Sequence, residues 1–233
     1  MSEYIKQLIA QGENQRLDFK FEISDSRKIA RSLVAFANTD GGKLLVGVKD
    51  NGVIAGVRSD EEYHMVEAAA QLFCRPEVVF HTKEWNVGGK KVLEVIVPKA
   101  KAEKHKAPDK NDVFKVFVRV HDQNLLADPL LLGVWKRQRS AAPVRVSLAE
   151  TEMWLLQFLE TNESISLSMF MQEAMISKQK ASLILVNFVL LGIIDMQMSE
   201  KGTKFVLKEP NYQAFFEEEK GAQFVHLYKG VKK

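Results

Sequence analysis

The densest pattern of apolar and polar positions runs from Ser24 to Gly56. Ile29, Leu33, Val34, Phe36 and Ala37 recur at helical spacing behind Asp25 and Ser26, which supply cap chemistry, so a helix is predicted to about Asn38. Gly41 and Gly42 stop it. Lys43–Val48 is then a short apolar, β-branched run, and Asn51-Gly52 beyond it is a hairpin signal. Gly47, inside that strand, marks a bulge or the close approach of another backbone or a ligand. Asp50, at the strand's end, is either turn chemistry or an acid pointing into a cleft.

The periodicity continues on either side. Tyr4, Ile5, Leu8 and Ile9 share one face of a short opening helix, and Leu17, Phe19 and Phe21 alternate with Asp18 and Lys20 as a half-buried strand. That acid and base form a solvated pair or one wall of a polar cleft. Asp60–Phe73 reads as a second amphipathic helix, ended by Pro76. Val78–Phe80 and Val92–Val97 are predicted strands with a turn at Asn86–Gly89 between them. Val113–Val120 is another strand, carrying Arg119 and followed by a polar turn at His121–Asn124. Asp128 and Pro129 open a short helix.

Between Lys136 and Ser147 the pattern loosens, and a domain boundary is placed there. Beyond it, Ser147 caps a helix, Ser166 opens a second to about Glu173, and Ser177 a third that Gly192 terminates. Ile193–Met196 and Lys204–Leu207 then flank a turn. Three helices and a two-stranded hairpin, over 147–208, is the order of a winged helix-turn-helix. Its third helix offers Lys178, Gln179, Lys180, Ser182 and Asn187, and DNA contact and dimerisation are both open uses. The tail, 209–233, places Tyr212, Phe215 and Phe216 beside Glu217–Glu219, as a docked last helix or an oligomerisation arm.

Composition narrows the class. At 233 residues, 46% hydrophobic and 27% charged, the chain has the make-up of an ordinary soluble protein of one large or two small domains. Its one cysteine, Cys74, excludes an internal disulfide and fits a reducing compartment as a buried thiol. No N-terminal run resembles a signal peptide, and the longest apolar segment is interrupted by Asn187 and Gly192. A cytoplasmic location without membrane contact is therefore expected. The formal net charge of +3 says little, so distribution matters more. Lys99, Lys101, Lys104, Lys106 and Lys110 crowd one aperiodic loop, which contacts phosphates or stays solvated. The histidines lack ligand spacing, and no Walker loop is present to support nucleotide hydrolysis.

Four pieces occur together: Glu13 with Asp18-Phe19-Lys20; Ala35-Phe36-Ala37-Asn38-Thr39-Asp40-Gly41-Gly42; Val46-Gly47-Val48-Lys49-Asp50-Asn51-Gly52 with Gly56; and Val118-Arg119. In order and content they resemble the Schlafen and AlbA-type nucleic-acid-binding domain over roughly residues 13 to 125. The resemblance implies an α+β chain: a compact α/β domain with a mixed sheet over 1–138, followed by the mainly helical winged-helix module. In the Schlafen branch it further implies a metal-dependent RNA endonuclease whose three acids fall on Glu13, Asp18 and Asp50. Such acids would hold Mg²⁺ or Mn²⁺ to activate water. Asp18 stands where the family has Glu, one methylene longer.

Binding ranks above catalysis in this reading, because many relatives of bacterial type have no known cleavage activity. The leading expectation is a DNA-binding transcriptional regulator that needs no cofactor and takes DNA or RNA as partner. Lys20, Lys99, Lys101, Lys104, Lys106, Lys110 and Arg119 would grip phosphates, with Lys178 and Lys180 added by the winged helix; a homodimer is open. The alternatives are a Mg/Mn-dependent endoribonuclease and a protein-interaction scaffold.

Overall fold

A computed structural model describes residues 2–101, 103–140, 144, 146 and 149–208. The chain divides into two compact units, Met1–Ala127 and Asp128–Lys233. The division falls ahead of the Lys136–Ser147 stretch where the sequence loosens. The expected cap at Ser147 and the tail 209–233 lie outside the described residues.

The first unit is organised around a helix buried almost all round. Helix α1 spans Ser2–Ala10, strand β1 Leu17–Lys20, helix α2 Ser26–Asn38, strand β2 Gly42–Val46 and helix α3 Glu61–Leu72. Asp25 caps α2 by accepting the Arg27 N–H, and ten of its 13 residues are buried, so it needs apolar partners on opposite sides. One partner is a four-stranded mixed sheet, completed by β3 (His81–Val87) and β4 (Lys90–Val97), in the order β1-β2-β4-β3. β1 and β2 run parallel with Asp18 opposite Leu44; the other pairs are antiparallel. The other partner is a pair of short ribbons, β5 (Ala107–Pro108) with β6 (Phe114–Lys115) and β7 (Phe117–Val120) with β8 (Gln123–Leu126).

Strand alternation sorts the core into two clusters. Leu44, Val46, Leu93, Val95 and Val97 face α2 and α3, whereas Leu17, Phe19, Leu45 and Val92 face α1 through Ile5. Asp18 therefore lies on the α2 side of the sheet. Gly47 breaks the alternation with a φ of +91°, and a Cβ there would stand 2.9 Å from the Gly56 carbonyl carbon and the Val57 nitrogen. Of the readings open for Gly47, a close backbone approach is what the fold contains.

Three local expectations are corrected. Residues 78–80 are not a strand: β3 begins at His81 and continues through Asn86 and Val87, leaving Gly88 and Gly89, both at positive φ, to make the turn. Val113–Val120 is two strands, because β6 pairs with β5 and β7 with β8, the change of partner falling at Val116. The turn at His121–Asn124 shrinks to His121 and Asp122, since Gln123 and Asn124 already pair in β8.

In the second unit, helices α4 (Pro129–Gln138), α5 (Glu150–Thr161), α6 (Leu167–Glu173) and α7 (Lys178–Leu191) precede an antiparallel hairpin of β9 (Ile194–Ser199) and β10 (Gly202–Leu207). Asp128 caps α4 with Pro129 at its first position, Ser166 caps α6 and Ser177 caps α7. Gly192 ends α7 in the left-handed conformation. Leu155, Leu156, Phe170, Leu185, Phe188 and Phe205 build its core. Helix α4 packs along α7.

Candidate nucleic-acid interface

The residues that the motifs single out meet behind β1. Asp18 is 3% exposed and Arg119, on β7, is 2% exposed. The Arg119 guanidinium donates to the carbonyls of Asn14 (3.2 Å) and Leu17 (3.0 Å), to Asn124 Oδ1 (3.1 Å) and to Asp18 Oδ1 (3.4 Å). It also lies 5.1 Å from the Phe36 ring centroid. The second oxygen of Asp18 faces Lys20 Nζ at 3.0 Å and accepts from the Ser32 hydroxyl at 3.5 Å. Gln15 locks the same corner by donating to the Arg119 carbonyl and accepting from His121 N–H.

Glu13 joins this corner by accepting the Phe19 N–H at 2.9 Å. Burial, together with the adjacent Asp18 carboxyl, pushes its pKa up to about 7, with the Phe19 bond and Lys20 opposing the rise. Glu13 and Asp18 are thus brought together. Asp50 is not: it is exposed in the turn closed by the Lys49 N–H to Val53 carbonyl bond. Among the described residues no three acidic, histidine or cysteine side chains converge as a metal site would require. The two oxygens of Asp18 already face a guanidinium and an ammonium. The donor set does not fit a shared divalent ion.

Arg119 is a correction. Its guanidinium makes four hydrogen bonds inside the domain, tying β7 to the segment before β1, and with the residue 2% exposed it is not at the surface to meet a phosphate. The lysines divide. Lys99 is exposed beside Asp40 at 3.4 Å, and Lys101, Lys106 and Lys110 are exposed. Lys104 is half-buried, its ammonium donating to the Asn38 carbonyl at 2.8 Å. Lys20 is one-third exposed and leans on Asp18. In the second unit Lys178 and Lys180 are exposed. Lys178 lines a cleft of about 920 Å³ with Lys136, Arg137 and the apolar Leu130, Leu183 and Val186.

The loop is held in place. The side-chain amide of Asn38 donates to the carbonyls of His105 and Phe117 and accepts from the His105 N–H. Lys106 exchanges two backbone hydrogen bonds with Arg75 (2.8 and 2.9 Å). Around this ribbon three arginines that sequence reasoning missed sit against aromatic rings. Arg27 lies 5.7 Å from the Phe73 centroid and 3.3 Å from Asp112. Arg31 donates to the Pro108 carbonyl and lies 6.0 Å from the Phe117 centroid; Arg75 lies 4.2 Å from that of Phe114. With exposed Lys106, Lys110 and Lys115 they make a basic surface in which Phe73 and Phe114 are partly exposed, while Phe117 is buried in the core beneath Arg31. The spacing of Arg27 and Arg31, one helical turn apart, was a legible signal for it.

A second buried constellation also went unread. Glu94, 1% exposed on the α1 side of the sheet, accepts from Tyr4 Oη (2.7 Å) and Trp85 Nε1 (2.8 Å) and faces Lys43 Nζ at 3.1 Å, while Lys43 also donates to Tyr4. Burial raises the Tyr4 pKa; burial works to lower that of Lys43, but the bonds to Tyr4 and Glu94 outweigh it and raise the value. The network pins α1 to the sheet.

With this geometry in place, the match to known proteins is specific: residues 13–128 match the model of the Schlafen, AlbA_2 family. That stretch is an AlbA_2 domain. It includes the Asp18–Arg119 corner, the basic loop and the arginine–aromatic surface. Among solved structures, the DIP2311 protein from Corynebacterium diphtheriae is 21% identical at a TM-score of 0.43, over 88% of this chain and 37% of that one. The N-terminal domain of a RecG-related protein from Nitrosomonas europaea is 25% identical at a TM-score of 0.35, over 49% of this chain and 79% of that one. The chain thus spans 37% of the length of the first of these.

Proposed function

We propose that this protein binds nucleic acid through the basic, aromatic-interleaved surface of its AlbA_2 domain, and that it serves as a DNA-binding regulator. What carries the reading is the placement of Arg27, Arg31 and Arg75 against Phe73, Phe117 and Phe114, beside exposed Lys106 and Lys110. Cations supply sequence-independent affinity for phosphates, and the partly exposed rings of Phe73 and Phe114 supply faces for bases, with Phe117 buried behind Arg31. The match of residues 13–128 to the AlbA_2 family supports the same reading.

The helices α5 to α7 with the β9–β10 hairpin follow the order of a winged helix. We read this unit as an accessory to binding, because α4 packs along α7 and covers part of the helix that such modules present to the major groove. Lys178 and Lys180 remain exposed for backbone contact.

The test is a salt titration of binding to duplex DNA and to folded RNA. Log affinity is expected to fall linearly with log salt, with a slope of several, as cations displace counterions from phosphates. Affinity that ignores salt would overturn the reading.

A further inference from the structure

One pocket of the AlbA_2 domain has a shape and chemistry that phosphate binding alone does not use. It is an open cleft of about 400 Å³ lined by Arg75, Pro76, Glu103, Lys104, Lys106 and Phe114. This is at the lower end of the range for small-ligand sites. We infer that it holds one unpaired nucleotide, so that the domain takes single-stranded nucleic acid in preference to duplex. The inference rests on the nucleic-acid reading above and names the form of nucleic acid that is bound.

Each wall supplies a different part of a nucleotide site. The Arg75 guanidinium sits over the Phe114 ring at 4.2 Å, and a base stacks on the guanidinium's outer side to extend the series. Lys106, exposed in the same lining, meets the phosphate, and the Lys104 ammonium, held on the Asn38 carbonyl, adds positive charge beside it. Glu103 adds a carboxylate, which accepts from an exocyclic amine and repels a carbonyl edge. Cytosine or adenine is thereby favoured over uracil or thymine. A paired base has both faces stacked and its pairing edge engaged, so only an unpaired one enters.

The walls are fixed before any ligand arrives. Arg75 and Lys106 exchange two backbone bonds, His105 Nδ1–H donates to the Pro76 carbonyl at 2.8 Å, and Phe114 is carried on the ribbon in which it pairs with Pro108. Ordering costs little on binding when the contacts are already set.

The experiment uses the full chain and labelled oligocytidylate, oligouridylate and a duplex of equal length, across a salt series. The parent is expected to bind oligocytidylate tightest. Phe114→Ala, which removes the ring that backs the Arg75 guanidinium, is expected to weaken that binding about tenfold and duplex binding by less. Arg75→Lys, which keeps the charge but loses the planar group and has little reason to disturb folding, is expected to weaken it similarly while preserving the salt slope. Glu103→Ala is expected to erase the preference for cytosine over uracil. Duplex bound as well as single strand, with Arg75→Lys indistinguishable from the parent, overturns the pocket and leaves the nucleic-acid reading standing. Absence of binding to any of the three at low salt overturns that reading and the pocket with it.

Discussion

Arg119 Nη2 stands 3.4 Å from Asp18 Oδ1, with side chains 1% and 4% exposed, so the pair is an internal joint of the AlbA_2 domain. Asp18→Asn leaves the buried guanidinium without its counterion, at a cost of roughly 3–5 kcal/mol, whereas Arg119→Met leaves Asp18 paired with Lys20. Both variants are expected to lower the unfolding free energy measured in urea, Asp18→Asn by that order. The double variant is expected to be more stable than the sum of the two losses implies, since neither charge is then stranded. Equal and additive losses would mean that the pair is not coupled.

Glu13 gives the domain a pH dependence of defined sign. Its folded pKa of about 7 lies above the ordinary 4.5, so the native state keeps a proton that the unfolded chain has released. Stability from this group is full below about pH 4.5, declines as pH rises towards 7, and levels off above. Glu13→Gln keeps an oxygen for the Phe19 N–H and has no proton to lose. Urea midpoints measured from pH 4 to 8 are expected to show the variant gaining on the parent through that window. Parallel curves would remove the assignment.

The Glu94 network sets the attachment of α1. Lys43→Met leaves the buried Glu94 carboxylate with only the Tyr4 and Trp85 donors, and a loss of about 3 kcal/mol is expected. Tyr4→Phe removes two hydrogen bonds, one donated to Glu94 and one accepted from Lys43, for about 2 kcal/mol. Amide hydrogen exchange is the discriminating measurement: α1 amides are expected to exchange faster in Lys43→Met, while α2 amides keep their protection. Uniform acceleration would show that the network supports the whole sheet instead.

Gly47 has no room for a side chain. Its φ of +91° disfavours any L residue, and a Cβ would press on the Gly56–Val57 backbone at 2.9 Å. Gly47→Ala is expected to cost about 2 kcal/mol or more, whereas alanine at Gly88, where a Cβ meets nothing within 4 Å, is expected to cost less. Thermal melting of the two variants side by side checks the ranking.

What could be read from the sequence was local. The α2 cap at Asp25, the cap and proline that start α4 at Asp128 and Pro129, and the Gly192 stop rest on contacts between near neighbours, which residue order displays. The ribbon strands were misjudged because β6 and β7 take different partners, and a change of partner leaves no mark on alternation. Arg119 was misplaced for a related reason. An arginine in an apolar strand reads the same whether its donors face water or meet carbonyls about a hundred residues away. Arg75 and Phe114 meet only because a backbone bridge brings Lys106 to Arg75, so no spacing rule could pair them.

That difference between buried and exposed cations yields the last prediction. A lysine or arginine that neutralises a phosphate in the complex releases a counterion, and its removal reduces the salt slope by about 1. Arg27→Ala and Lys106→Ala, at exposed positions beside the aromatic rings, are each expected to flatten the slope by that amount and to weaken binding similarly for every sequence tested. Arg119 contributes no counterion, because its guanidinium is already matched to Asp18 and to carbonyl groups. Arg119→Met, assayed at a temperature where it is folded, is expected to leave the slope of the parent. A slope that fell in Arg119→Met and held in Lys106→Ala would place the phosphate path on the β1 side of the domain and away from the arginine–aromatic surface.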